Sequence, residues 1–129
     1  MSGHSILLVD DEPAIVNTLA RTLRAKGYAV QSVENGKDAL FALAESTPDV
    51  MLLDINLPDL TGWEVLRRLS ATDRERVAVI VFSASPLAPS RVEEFHPAGV
   101  LLKPFPIDAL ETLLVRVLEA REEEADTDG

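Results

Sequence analysis

The chain has 129 residues, 47% of them apolar, which is the length of one ordinary domain with enough apolar surface for a sizeable core. Its 22 acidic residues against 12 Lys and Arg give a net charge of −10, which argues against direct binding to nucleic-acid phosphates. The lack of cysteine excludes disulfides, thiolate nucleophiles and zinc-thiolate centres, and with no long apolar run or signal pattern the expectation is a cytoplasmic protein without a membrane segment.

Residues 6–9 form a short, branched apolar run of the kind carried by a strand covered on both faces. Pro13 suits the first turn of a helix in which Ile15, Leu19 and Leu23 recur every four residues, and Gly27 supplies its stop. Residues 28–33 alternate less greasily and are placed as a strand at the sheet's edge. Asn35 and Gly36 open a weaker helix through Leu40 and Leu43, ended by Pro48. Residues 50–53 repeat the buried-strand pattern, and Thr61 with Glu64 makes a capping box for the next helix. After a further buried strand at 77–82, Ser90 and Glu93 repeat the capping signature, although Pro86, Pro89 and Pro97 confine that helix to about two turns. Residues 100–102 read as another strand covered on both faces, and Leu110, Leu113, Leu114, Val117 and Leu118 trace the apolar stripe of a last helix.

A strand-helix alternation repeated five times selects a doubly wound α/β sheet over a bundle or a sandwich of sheets. Residues 1–121 make the expected domain. In residues 119–129 six carboxylates face only Arg121, so 122–129 reads as a solvated acidic tail or the start of a linker.

The chemistry gathers where the apolar runs stop. Val9 gives way to Asp10 and Asp11, Leu53 to Asp54, Phe82 to Ser83 and Leu102 to Lys103. Ligands of open α/β sheets bind at the carboxyl ends of the strands, so these five side chains are expected in one site. Clustered carboxylates repel one another unless a cation neutralises them, and an all-oxygen set suits Mg2+. A carboxylate held against magnesium, with an ammonium and a hydroxyl opposite, can stabilise a transferring phosphoryl group, which makes Asp54 the candidate nucleophile. Singly, each residue has a plainer reading as a turn former or a solvated charge, and only their coincidence points to chemistry. His4 and His96 have no partner at ligand spacing, and Trp63 is assigned to packing.

The segments LLVDDEP at 7–13, LLDINLPDLTGWEVL at 52–66, FSAS at 82–85 and LLKPF at 101–105 together resemble the receiver domain of two-component response regulators, the CheY-like family. The resemblance implies a flavodoxin-like (βα)5 three-layer sandwich with a parallel sheet of order 2-1-3-4-5, the order shared by flavodoxin and CheY. It implies that Asp54 is the phosphoacceptor, that Asp11 and Asp54 ligate Mg2+ directly, that Asp10 does so mainly through water, and that the backbone carbonyl of Asn56 completes the set. Lys103, joined to Pro104 by a cis bond, is expected to pair with the acidic pocket and then with the phosphoryl oxygens, and the Ser83 hydroxyl and Ala84 amide to bind the phosphate. The implied donor is a sensor histidine kinase or phosphotransfer protein, and the implied receiver of the signal is a downstream protein or an output domain. No output domain follows the last helix, which suggests a free-standing receiver or the first part of a longer regulator. A homodimer along Glu111, Val115, Leu118 and Glu122 is a further expectation.

The resemblance implies a signalling phosphoacceptor, not a turnover enzyme. The phosphatases that also use a strand-end Asp need a second Asp two residues later, where this chain has Asn56. Departures from the family lie in the switch region. Val100 stands three residues before the lysine, where Tyr or Phe is usual, and the interval from Ser83 to Lys103 is about two residues short. A swinging aromatic ring is excluded, so the expected route of the signal is the loop 83–89 or the last helix. The same departures motivate an alternative, a receiver-like docking module that signals without phosphorylation.

Overall fold

The computed structural model describes residues 3–128, with side chains through Glu124. Five parallel strands, β1 (Ser5–Val9), β2 (Ala29–Val33), β3 (Val50–Asp54), β4 (Ala78–Ser83) and β5 (Gly99–Leu102), pair in the order β2-β1-β3-β4-β5. The helices α1 (Pro13–Ala25), α2 (Gly36–Glu45), α3 (Gly62–Arg67), α4 (Ala71–Arg76) and α5 (Pro89–Phe95) carry the chain back between strands, and α6 (Ile107–Asp128) follows the last of them. This is the doubly wound order that the four motifs imply.

The alternation of side chains along each strand builds two cores. Ile6, Leu8, Val50, Leu52, Ile80 and Phe82 pack with α1 and α6 on one face, whereas Leu7, Val9, Met51, Leu53, Val79 and Val81 pack with α2 and α3 on the other. Every residue of β3 and β4 is buried, which explains why their runs are continuously apolar and not alternating. β2 lies at one edge, as the sequence suggests. β5 is the other edge and departs from expectation, because Val100 is 39% and Leu102 48% exposed. With α6 covering only one of its faces, alternate residues of β5 point to solvent.

The helices differ from the sequence reading in four particulars. Between α3 and β4 the chain forms an additional short helix, α4, whose cap Ser70 accepts from the Asp73 amide. Ser90 does not cap α5. Ala88 holds that position, Pro89 takes the first turn, and Ser90 lies within the helix. α6 runs on to Asp128 through the acidic segment that the sequence assigns to a tail or the start of a linker, in keeping with the good helix propensity of Glu and Ala. Leu118 is 7% exposed and joins Leu110, Leu114 and Val117 in the core, so of the stripe Glu111, Val115, Leu118 and Glu122 it does not face outward, whereas Val115 is 50% exposed.

Strand register aligns the ends that matter. Val9 sits opposite Leu53, Asp54 opposite Phe82 and Ser83 opposite Leu102, so the residues that close β1, β3, β4 and β5 converge above one end of the sheet. Among the described residues no helix is long and apolar enough to cross a membrane.

Candidate functional site

The same local turn is built at three strand ends. After β1, Asp10 is fully buried and its Oδ1 accepts from the Glu12 amide at 2.9 Å. At the end of β3, Asp54 is 3% exposed and its Oδ1 accepts from the Asn56 amide at 2.9 Å. At the end of β4 the buried Ser83 hydroxyl accepts from the Ser85 amide at 3.2 Å. Short polar side chains that bond the backbone two residues ahead are what these turns require. For the aspartates, the turn occupies one carboxylate oxygen and leaves the other facing inward.

Lys103 fills the space between them. Its Nζ donates to Asp10 Oδ2 at 2.8 Å, to Asp54 Oδ2 at 3.0 Å and to Glu12 Oε1 at 3.3 Å. The lysine's own amide donates to the Ser83 carbonyl at 2.8 Å, its ammonium lies 5.8 Å from the Phe82 ring centroid, and the Lys103–Pro104 bond is cis, as expected.

Burial pushes the Asp54 carboxyl above its ordinary pKa, and Asp10 adds to that, outweighing the Asn56 amide and Lys103. Burial also works against the Lys103 ammonium, but hydrogen bonds to Asp10 and Asp54 overcome it and hold the lysine well above its ordinary range. The lysine's shift thus comes from the carboxylates around it, whereas the Asp54 shift comes mainly from burial that the shared ammonium does not fully offset. The ligand oxygens of Asp10, Glu12 and Asp54 lie within 4.8 Å of one another, so the pocket keeps an excess of negative charge and an all-oxygen donor set. That chemistry fits a hard divalent cation such as Mg2+.

Of the site residues proposed from sequence, the side chains of Asp10, Asp54 and Lys103 meet directly, and Ser83 joins them through its backbone carbonyl, which accepts from the Lys103 amide. Asp11 is exposed and outside the carboxylate triad, where Glu12 takes the third corner. The sequence reading missed Glu12, although a third carboxylate before Pro13 was the visible signal. Asn56 is exposed at the start of a loop closed by an antiparallel bridge to Thr61, and the Gly62 amide donates to the Ile55 carbonyl at 2.8 Å. A Cβ on Gly62 would stand 2.8 Å from the Asp54 carbonyl, so only glycine allows α3 to start this close to the site. Ala84, Lys103 and Glu12 border a largely apolar cavity of about 550 Å³ between α1 and residues 104–107. Val100 stands half exposed on β5. Trp63 is nearly buried and stacks on Phe95 with centroids 5.4 Å apart, while Arg67 lies over the same ring and pairs with Glu94 at 2.9 Å. Neither histidine joins the carboxylates. His4 Nε2 lies 3.2 Å from Glu122, and His96 ends α5 in the left-handed region at φ 46°.

A lysine-bridged acidic pocket at the carboxyl ends of a 2-1-3-4-5 parallel sheet defines a receiver-type α/β domain. The family profile of the response regulator receiver domain matches residues 6–115, and the chain belongs to this family. It is therefore a signalling phosphoacceptor receiver domain of the CheY-like kind, with an acidic cluster that suits Mg2+. It is 40% identical to the transcriptional regulatory protein YkoG of Bacillus subtilis over 120 residues, 92% of this chain and 50% of that one. The signal receiver domain of a LuxO repressor protein from Vibrio parahaemolyticus superposes with a TM-score of 0.87 at 26% identity, covering 98% of each chain. The response regulator TrrA of Thermotoga maritima, in complex with Mg2+-BeF, gives 0.78 at 28% identity over 88% of this chain and 98% of its own. The chain spans about half the length of the curated relatives it matches.

Proposed function

We propose that Asp54 accepts a phosphoryl group from the phosphohistidine of a sensor histidine kinase or phosphotransfer protein. The observation that carries this reading is the shared lysine, whose Nζ sits 2.8 Å from Asp10 and 3.0 Å from Asp54 at the ends of adjacent strands. An oxygen of the Asp54 carboxylate attacks phosphorus, a P–O bond forms as the donor P–N bond breaks, and the bonding pair leaves with the imidazole, which takes its proton from solvent. Asp11 and Asp54 would hold Mg2+ directly, with Asp10 acting through water and Asn56 through its carbonyl. Bound there, the cation would neutralise charge developing on the phosphoryl oxygens. Lys103 turns from the carboxylates to those oxygens, and the Ser83 hydroxyl exchanges its bond from the Ser85 amide for one to the phosphate, beside the Ala84 amide.

A single charge-assisted hydrogen bond is worth about 1.5–3 kcal/mol, whereas reversing a 1:99 equilibrium takes about 5.5 kcal/mol, so Ser83 and Lys103 must act together. Movement of Ser83 pulls on the loop 83–89 and thus on α5, which the Trp63–Phe95 stack and the Arg67–Glu94 pair tie to α3. Val100 has no ring to exchange between buried and exposed positions, which favours that route. The signal passes to a downstream protein or an output domain, in the cytoplasm, and a second copy of the chain is one candidate partner.

Incubation with Mg2+ and acetyl phosphate should add one phosphoryl mass to the wild type and none to Asp54→Asn or to a magnesium-free control. If a histidine kinase donor also left the wild type unmodified, the docking-module reading would replace this one.

A further inference from the structure

We infer that Asp59 is a positioning residue for metal binding, holding the loop that carries the Asn56 carbonyl against the amino end of α2. The inference rests on the proposed metal site and names the contact that supports it.

Asp59 lies three residues past Asn56, yet its carboxylate reaches another element. Oδ1 accepts from the Gly36 amide at 2.8 Å and from its neighbour Leu60 at 2.8 Å, while Oδ2 accepts from the Lys37 amide at 2.9 Å. Gly36 and Lys37 open α2, where amides lack helical partners and the helix dipole favours an anion. That helix already has its own cap, because Asn35 Oδ1 accepts from the Asp38 amide at 2.8 Å. Asp59 is therefore not required to start α2, and its distinctive effect is to fasten a loop 22 or 23 residues away in sequence.

Packing reinforces the link. A Cβ on Gly36 would stand 2.9 Å from Leu60 Cβ and 3.1 Å from Val65 Cγ2, so the glycine admits the loop to close contact. The ends of the loop are held at Asn56, whose amide bonds Asp54, and at Thr61 and Gly62, through the bridge to Asn56 and the bond to Ile55. Between those ends, the Asp59 carboxylate secures the middle. Asn56 itself is exposed, so the direction of its carbonyl depends on the loop and not on packing of its side chain. Groups that orient a metal ligand without touching the metal set affinity by fixing that ligand's direction.

The test titrates MgCl2 by isothermal calorimetry into the unphosphorylated wild type, Asp59→Ala, Asp59→Asn and Asn35→Ala, with a thermal melt of each in the absence of metal. Asp59→Ala should weaken Mg2+ binding by about three- to tenfold, with Asp59→Asn in between. Asn35→Ala should lower the melting temperature at least as much while leaving magnesium affinity within about twofold, because it loosens the same helix end without releasing the loop. Unchanged affinity in a folded Asp59→Ala, or equal weakening in Asn35→Ala, would overturn the inference and make Asp59 a helix cap only. A wild type that binds no magnesium would instead overturn the metal-site reading itself, before any variant is compared.

Discussion

Replacing Lys103 by methionine keeps most of the side chain's length and removes the cation from a crowded acidic pocket. In the metal-free protein Asp10 and Asp54, 0% and 3% exposed, would face each other with Glu12 beside them and no ammonium between. Removing one partner of a buried ion pair costs about 3–5 kcal/mol. Because the Lys103 side chain retains 11% exposure and Glu12 is 58% exposed, the lower end, about 3 kcal/mol at neutral pH, is the better figure. The cost should depend on pH in a defined direction. Asp54 already has a raised pKa, and losing the hydrogen bond and charge of Lys103 raises it further. A carboxyl whose folded pKa exceeds its unfolded one contributes its stability below the unfolded pKa and loses it as pH rises through the folded pKa. The gap between variant and wild type should therefore open as pH rises through the wild-type Asp54 pKa, itself above the ordinary carboxylate value, and be full above the variant's. Urea unfolding followed by circular dichroism reads this directly. With a slope of about 1.5–2 kcal/mol/M, the midpoint should fall by about 1.5–2 M at pH 7.5, by clearly less at pH 4.5, and should recover in part with millimolar Mg2+. An equal shift at both pH values, or none at pH 7.5, would refute the view that the ammonium neutralises a desolvated acidic pair.

Asp54→Asn should act with the opposite sign, since it relieves the desolvated charge. Without metal at pH 7.5 it should melt about 3–5 °C higher than wild type, equivalent to ~1 kcal/mol, and the gain should fade as pH falls through the raised Asp54 pKa and be gone by about pH 4, as calorimetry at both pH values would show. Gly62→Ala places a methyl 2.8 Å from both the Asp54 carbonyl and Ile55 Cδ1, and should cost about 1–3 kcal/mol in thermal melts and weaken magnesium binding by displacing Asp54. Phe95→Ala removes the stack on Trp63 and the seat of Arg67, and should cost about 2 kcal/mol while shifting tryptophan emission to the red.

The doubly wound architecture was legible because buried parallel strands announce themselves as unbroken apolar runs, as at β3 and β4, and helices by their own stripe, as at α6. β5 misled because a three-residue apolar run has the same composition whether its second face is covered or bare, and only the neighbouring elements decide. The cap of α5 misled for a related reason, since Pro89 and Ser90 are both good openers and the proline's fixed φ took precedence. The acidic site was readable at Asp10, Asp54, Ser83 and Lys103 because each directly follows or closes a strand. Glu12 was not, because a residue two past a strand end enters the pocket only through the turn that Asp10 itself forms with the Glu12 amide. Asp59 was hidden for a different reason, since its partners at Gly36 and Lys37 are backbone amides and leave no trace in residue type.

All of the reactive side chains stand at the carboxyl ends of the strands, and this polarity leaves the opposite rim of the sheet free to be engineered. The connections there, around Gly27 and between Ser46 and Asp49, donate nothing to the pocket, although Asp49 does fasten the start of β1 by accepting from the Ser5 amide at 2.8 Å. A reporter peptide grafted at Gly27 would enter a turn whose glycine already has a φ of 99° and would lie a full strand's length from Asp54. The fold thus separates a rim where a single added methyl disrupts chemistry from one where added chain should leave it intact.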